Sequence, residues 1–244
     1  MIYAIINQKG GVGKTTTAAA LLSWFHEKGK KVLGVDMDAQ CNLTLAAGAG
    51  GSQKTALGVL TGEITAEEAI QSANYCDIIA GSPALSAAEQ IFSATGREYR
   101  LKEALSQLRG YEHIIIDAPP ALGVLSVNAL AAADKAIIPC NSDVFSIQGL
   151  KQLEDTIEVV RKYCNPTLGI ESLLLTKYST RQTINRDLFD VFAREAAALG
   201  TKLFTIRESV AIRQAQAMQQ SIFRAAICSG AAIDYNTFFE SMEV

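Results

Sequence analysis

The residue types most suited to chemistry lie together near the start of the chain, in Lys9-Gly10-Gly11-Val12-Gly13-Lys14-Thr15-Thr16. Glycines remove Cβ atoms where a backbone must wrap closely around an anion. The amides of such a loop, and the positive end of a helix that begins in it, point at phosphates. Lys14 brings a point charge suited to β- and γ-phosphates, and Thr15 a hydroxyl placed to ligate Mg²⁺. The strict G-x-x-x-x-G-K-[ST] pattern is broken, because Gln8 takes the first glycine position and a second lysine, Lys9, precedes the paired glycines. Two other readings compete. One is a plain glycine turn with two solvated lysines. The other is a dinucleotide fingerprint with Asp36 on a ribose, which would need glycine at position 16, where the chain has Thr.

Two acidic segments fit the same chemistry. Asp36-Met37-Asp38-Ala39-Gln40-Cys41-Asn42 follows an apolar run at 32–35, and His113-Ile114-Ile115-Ile116-Asp117 is an apolar run that ends in an acid. Ligand groups in open α/β sheets collect at the C-terminal ends of strands, so these acids are expected to face a bound nucleotide. Asp117 would hold Mg²⁺ directly or through water. The plainer alternative makes such acids helix caps or solvated residues. Pro119-Pro120, just after Asp117, stiffens the chain beside the nucleotide.

Lys9-Gly-Gly-Val-Gly-Lys-Thr-Thr resembles the deviant Walker A motif of the ParA/MinD/nitrogenase-iron-protein class of P-loop ATPases. The run from Asp36 to Asn42 resembles the ParA-type D-x-D-P-Q-G-N segment, departing at Ala39 and Cys41. Asp117-Ala118-Pro119-Pro120-Ala121-Leu122-Gly123-Val124-Leu125-Ser126-Val127-Asn128-Ala129-Leu130 matches the ParA D-x-P-P-x-L-G-x-L-x-x-N-A-L run. By this resemblance the nucleotide site comprises Lys9, Gly10, Gly11, Val12, Gly13, Lys14, Thr15, Thr16, Asp36, Asp117 and Pro119. Thr15, Asp38 and Asp117 would manage Mg²⁺, and Asp36 would support the Thr15 side. Lys14 and Asp38 would be catalytic, Asp38 by positioning the attacking water. Lys9 would be catalytic across a dimer, reaching phosphates bound by the partner subunit.

The elements that must position these groups follow from periodicity. Residues 2–7 read as a buried strand and 15–28 as a helix closed by Gly29. Strands are expected at 32–35, 77–80, 113–117, 134–139 (ended by Pro139) and 168–176. Residues 46–61 are glycine-rich and then helical, 65–72 read as a short capped helix, and 86–108 as mostly helical with a break near Gly96. A helix over 145–163 matches the family's dimer-interface helix, with an ordinary sheet-covering helix as the alternative. A final helix is expected at 231–242. The expected fold is α/β: a single doubly wound, mostly parallel sheet with helices on both faces, in one domain over 1–244.

Composition narrows the function classes. At 244 residues with 49% apolar and 19% charged residues the chain suits a large core, not disorder. There is no uninterrupted apolar run of membrane-spanning length, and the first strand leaves no room for a cleavable leader, so a cytoplasmic protein is expected. Five scattered cysteines without C-x-x-C spacing read as reduced thiols, and two distant histidines suggest no metal cage.

Net charge is −3, so any DNA contact must come from a local patch. Residues 177–224 carry eight Lys/Arg against four Asp/Glu. Spread charges are commonly a solvated surface, yet arginines on one face suffice for non-specific phosphate contacts. The family resemblance points to Arg181 as a DNA contact. At the family's second arginine position this chain has Ala211; Arg207 and Arg213 flank it and are expected to substitute for it as DNA contacts. The acidic C-terminus is unlike the basic membrane helix of MinD proteins, so no membrane attachment is expected. No N-terminal helix-turn-helix extension is seen, so operator-specific repression is not expected.

The resemblance therefore implies a Mg²⁺-dependent ATPase that dimerises on ATP and binds DNA non-specifically, at the nucleoid. A ParB-type partner would stimulate hydrolysis and release, in chromosome or plasmid partition. The alternatives are a related ATPase that positions a protein cargo and an accessory ATPase that does not bind DNA.

Overall fold

The computed structural model describes residues 1–92, 95–179 and 183–242. Eight strands form one sheet: β1 Ile2–Ile5, β2 Val32–Asp36, β3 Ile70–Ser72, β4 Asp77–Ile79, β5 His113–Asp117, β6 Lys135–Asn141, β7 Gly169–Tyr178 and β8 Lys202–Arg207. Their order is β3-β4-β2-β5-β1-β6-β7-β8. β3 runs antiparallel to β4, and every other pair is parallel. The doubly wound, mostly parallel α/β architecture expected from the periodicity is present.

The central strands are apolar along their interiors, with polar residues at their ends, because both of their faces are covered. Along β1, Tyr3 and Ile5 face one layer while Ala4 faces the other, as the period of two requires. One layer is built on the helix Lys14–Glu27 and the helix Gly230–Glu240, which bring Leu21, Leu22, Phe25, Tyr235, Phe238 and Phe239 into the core. The other layer includes the helices Val124–Ala132 and Val144–Tyr163, which contribute Leu130, Leu150, Leu153 and Ile157.

Three local expectations need correction. The capped helix expected over 65–72 lasts only Ala66–Ala69; its Thr65–Glu68 capping box is present, but Ile70–Ser72 pairs antiparallel with β4. A polar edge segment beside a free strand gains more from ladder bonds than from a second helical turn. Pro139 does not end its strand; β6 continues to Asn141. β1 has already turned away there, and the Asn7 side-chain amide donates to the Pro139 carbonyl at 2.7 Å. The missing N–H therefore costs no ladder bond on that side. Finally, β8 lies in the basic C-terminal third, where periodicity gives no strand. Its only strand neighbour among the described residues is β7, and its burial is patchy, so the apolar signal is weak.

Candidate active site

β1 delivers the glycine loop to the C-terminal edge of the sheet, between the ends of β5 and β6. Gly11 and Gly13 have φ of 73° and 88°, a left-handed conformation that side chains resist. Gly13 precedes the helix Lys14–Glu27 and has no side chain to cap it, and no acid lies in the first turn. The helix start thus keeps its unsatisfied amides and positive dipole end for another anion.

Lys14 is buried, and its ammonium donates to the Lys9 carbonyl at 3.3 Å. Burial lowers its pKa, opposed by the charges of Asp117 and Asp38. Thr15 lies beside Asp117. The Thr16 hydroxyl accepts from Gln216 at 3.2 Å, tying the first helical turn to the helix Val210–Ala217.

Two acids stand side by side at the strand ends, since Asp36 of β2 and Asp117 of β5 are register partners. Both are fully buried, yet they are differently engaged. Asp36 Oδ2 accepts from the Thr44 amide at 2.8 Å and the Thr44 hydroxyl at 2.7 Å, and Oδ1 from the Asp38 amide at 3.2 Å. The oxygens of Asp36, a residue expected to face the ligand, hold the 36–44 turn closed. Neither oxygen of Asp117 has a well-formed hydrogen bond. Burial and the neighbouring Asp36 charge push the Asp117 carboxyl well above its ordinary range, and Thr15 and Lys14 only partly offset this. Asp38 is half-buried, with Oδ1 accepting from the Gln40 amide at 3.0 Å.

An orphaned, fully buried carboxylate beside a threonine hydroxyl and a lysine is a poor fit to an apolar core and a good fit to a hard cation. Among the described residues no group of three or more His, Cys, Asp or Glu forms a cage. Mg²⁺ is commonly bound by one or two carboxylates plus substrate phosphates.

Lys9 is engaged within the chain: its ammonium meets Asp143 Oδ2 at 2.5 Å. Asp143 caps the helix Val144–Tyr163, accepting from the Ser146 amide at 2.9 Å. Burial raises the Asp143 pKa, but the bonds from Lys9 and Ser146 outweigh it and hold the carboxyl below its ordinary range.

The far side of the loop is gripped by β7. The Thr176 hydroxyl donates to the Val12 carbonyl at 2.8 Å, and the Lys177 ammonium to the Gly11 carbonyl at 2.8 Å. Beyond it opens a cleft of about 250 Å³, lined in part by Gly13, Thr16, Arg207, Ser209, Arg213 and Tyr235.

Arg207, expected to serve DNA, makes a two-bond pair with Asp234 at 2.8 and 2.9 Å. Its guanidinium also donates to the Gly230 carbonyl at 3.2 Å. That ties β8 to the C-terminal helix at the cleft wall. Arg213 is exposed and has no ion-pair partner among the described residues. Arg181 lies outside the described residues.

Pro119 lines a second cleft of about 200 Å³ with Asp38, Leu85, Glu89, Pro120 and Gly123. Here Glu89 accepts a short hydrogen bond from the Val124 amide, capping a helix 35 residues away in the chain. A Cβ at Gly123 would collide with that carboxylate.

The residues that sequence reasoning missed are Thr44, Glu89, Asp143, Lys177 and Asp234. Only Asp143 carried a readable local sign, an N-cap residue three positions before Ser146. The others act through contacts distant in sequence.

Residues 1–170 match a family model described as an AAA domain. The chromosome partitioning protein ParA of Myxococcus xanthus is 39% identical over 191 residues, 75% of this chain and 67% of that protein. The sporulation initiation inhibitor protein Soj of Bacillus subtilis is 38% identical over 189 residues, 75% of each chain. Among solved structures, cobyrinic acid a,c-diamide synthase from Mycobacterium smegmatis with bound ADP and magnesium is 31% identical. It superposes with a TM-score of 0.82, covering 99% of this chain and 93% of that one.

Proposed function

This chain belongs to the ParA/Soj family of P-loop ATPases, and from that premise we propose that it is a Mg²⁺-dependent ATPase of DNA partition, a single domain over residues 1–244. The observation that carries the reading is Asp117, whose two buried oxygens have no well-formed hydrogen bond beside Lys14 and Thr15.

In this reading the amides of residues 10–16 and the start of the first helix bind the phosphates of ATP. Lys14 neutralises charge on the β- and γ-phosphates, at a site dry enough for that charge to act strongly. Thr15 and Asp117 hold Mg²⁺, with Asp38 on the same side; bound there, the ion would offset charge on the transferred phosphoryl group. Asp38, half-exposed at the mouth of the Pro119 cleft, orients the attacking water. Asp36 acts one step back by fixing the turn that carries Asp38.

Lys9 completes the site of a second subunit, so ATP drives dimerisation and Lys9 must leave Asp143 to do so. A dimer doubles the set of arginines, including Arg181 and Arg213, and non-specific DNA affinity rises steeply with each added phosphate contact. Hydrolysis, stimulated by a ParB-type partner, ends the bound state. The output is position on the nucleoid within the cytoplasm, timed by ATP turnover.

The test is binding of the Asp38→Ala protein to non-specific duplex DNA, with ATP and with ADP, across a salt series. Salt-sensitive binding with ATP alone is the expected result, and Arg181→Glu is expected to weaken it without affecting dimerisation. ATP-driven dimerisation without DNA binding in either state would keep the ATPase and discard the DNA reading in favour of a protein cargo.

A further inference from the structure

We propose that Lys177 is a positioning residue for the phosphate-binding loop, pinning the Gly11 carbonyl so that the next amides face away from β7, toward the anion. The proposal rests on the nucleotide reading above and assigns a new residue to it.

Three observations converge on this lysine. The pairing of β7 with β8 slips between Leu175 and Tyr178: Leu175 aligns with Thr205 but Tyr178 with Arg207, so β7 holds one extra residue there. An extra residue of this kind re-aims a side chain. Next, Lys177 has φ of 53°, one of three described non-glycine residues in the left-handed region. Glycine would adopt that conformation without strain, and strained non-glycine residues persist where the surrounding structure demands them. Finally, the side chain crosses from the end of β7 to place its ammonium 2.8 Å from the Gly11 carbonyl, 166 residues earlier.

The consequence for the loop comes from the planar trans peptide. Each carbonyl points opposite the N–H of the same peptide unit. Lys177 takes the Gly11 carbonyl and Thr176 the Val12 carbonyl, so two successive carbonyls turn toward β7. The amides of Val12 and Gly13 must then turn away from β7, as successive amides do in an anion-binding nest. With Gly11 and Gly13 both at positive φ, the loop has alternatives that a side chain would forbid. The charge-assisted bond from Lys177 selects among them before any ligand arrives. Because the ammonium binds protein backbone, its effect should be the same for any nucleotide that uses the loop.

The experiment is calorimetric titration of the full chain with Mg²⁺–ADP and with a non-hydrolysable Mg²⁺–ATP analogue. Wild type, Lys177→Gly, Lys177→Met, Lys177→Arg and Lys14→Ala are compared, with a melting temperature for each. Lys177→Gly relieves the backbone strain yet loses the ammonium, so it separates loop positioning from folding. The expected result is that Gly and Met variants bind both nucleotides about tenfold more weakly, by a common factor, while Arg restores most of the affinity and Lys177→Gly melts no lower than wild type. Wild-type affinity in Lys177→Gly would overturn the proposal and leave a role in stability alone. A loss confined to the ATP analogue would overturn it in favour of direct contact with the γ-phosphate. If wild type binds nucleotide no better than Lys14→Ala, the nucleotide reading itself fails and takes this proposal with it.

Discussion

Lys9 and Asp143 are joined by an ion pair of 2.5 Å that ties the glycine loop to the N-cap of the helix Val144–Tyr163. The family role proposed for Lys9 lies across a dimer, so the pair in one chain competes with that role. Both side chains are one-third exposed, so water weakens the competition and its size is modest. Asp143→Ser keeps a capping oxygen and removes the charge. It is expected to lower, by a few-fold, the protein concentration needed for ATP-dependent dimerisation, read by sedimentation. An unchanged or raised midpoint would show that the ion pair does not restrain Lys9.

At Asp117 function and stability should move in opposite directions. Its carboxyl titrates well above the ordinary 3.8 because burial disfavours the charge. The folded protein therefore binds a proton that the unfolded chain has lost. Stability from this group is present at acidic pH and declines as pH rises from about 4 through the folded pKa. Asp117→Asn removes that decline. The variant is expected to melt about 2–4 °C above wild type at neutral pH without magnesium, in line with about 1 kcal/mol, while losing Mg²⁺-dependent ATP turnover. Melting curves between pH 4 and 8 check the sign; a lower melting temperature across that range would count against a costly buried charge.

Glu89 reaches over the Gly123 backbone to cap the helix that comes after the Asp117 strand. Removing the acceptor in Glu89→Ala leaves the Val124 amide without it. A melting temperature about 2–4 °C lower is expected, from the usual worth of a cap. Because the same segment carries Pro119 beside Asp38, turnover should fall more than nucleotide affinity, whereas Glu89→Gln retains an acceptor and most of the activity. Equal losses of kcat and affinity would indicate a general disturbance of the fold.

Arg207 and Arg213 line one cleft but should separate in a DNA-binding experiment. Arg207 already engages its guanidinium with Asp234 and the Gly230 carbonyl, and Arg213 is unpaired among the described residues. Arg213→Ala is expected to reduce the slope of log affinity against log salt by about 1, and Arg207→Ala to leave that slope unchanged while lowering stability. A reduced slope in Arg207→Ala would return that residue to the DNA surface.

The glycine loop, Asp117 at a strand end and the alternating apolar runs were legible because each is local: a few adjacent residues set the backbone or fill one face of one strand. On that basis the sequence determined a mostly parallel α/β sheet with the glycine loop and Asp117 at its C-terminal edge. Thr65 and Glu68 were legible for the same reason, their capping box spanning four residues. The strand β3, only two residues beyond Glu68, was not, because ladder bonds to β4 decide it. Only the tertiary structure decided which acid is free. Asp36 and Asp117 both end apolar strands, yet Thr44 saturates the first, and the second keeps both oxygens without a well-formed bond. It also decided that Arg207 pairs with Asp234, that Lys9 meets Asp143, and that Lys177 bends back onto Gly11. Each is a polar contact between residues distant in sequence. Such contacts depend on where folded elements end in space, and no periodicity or local propensity records that.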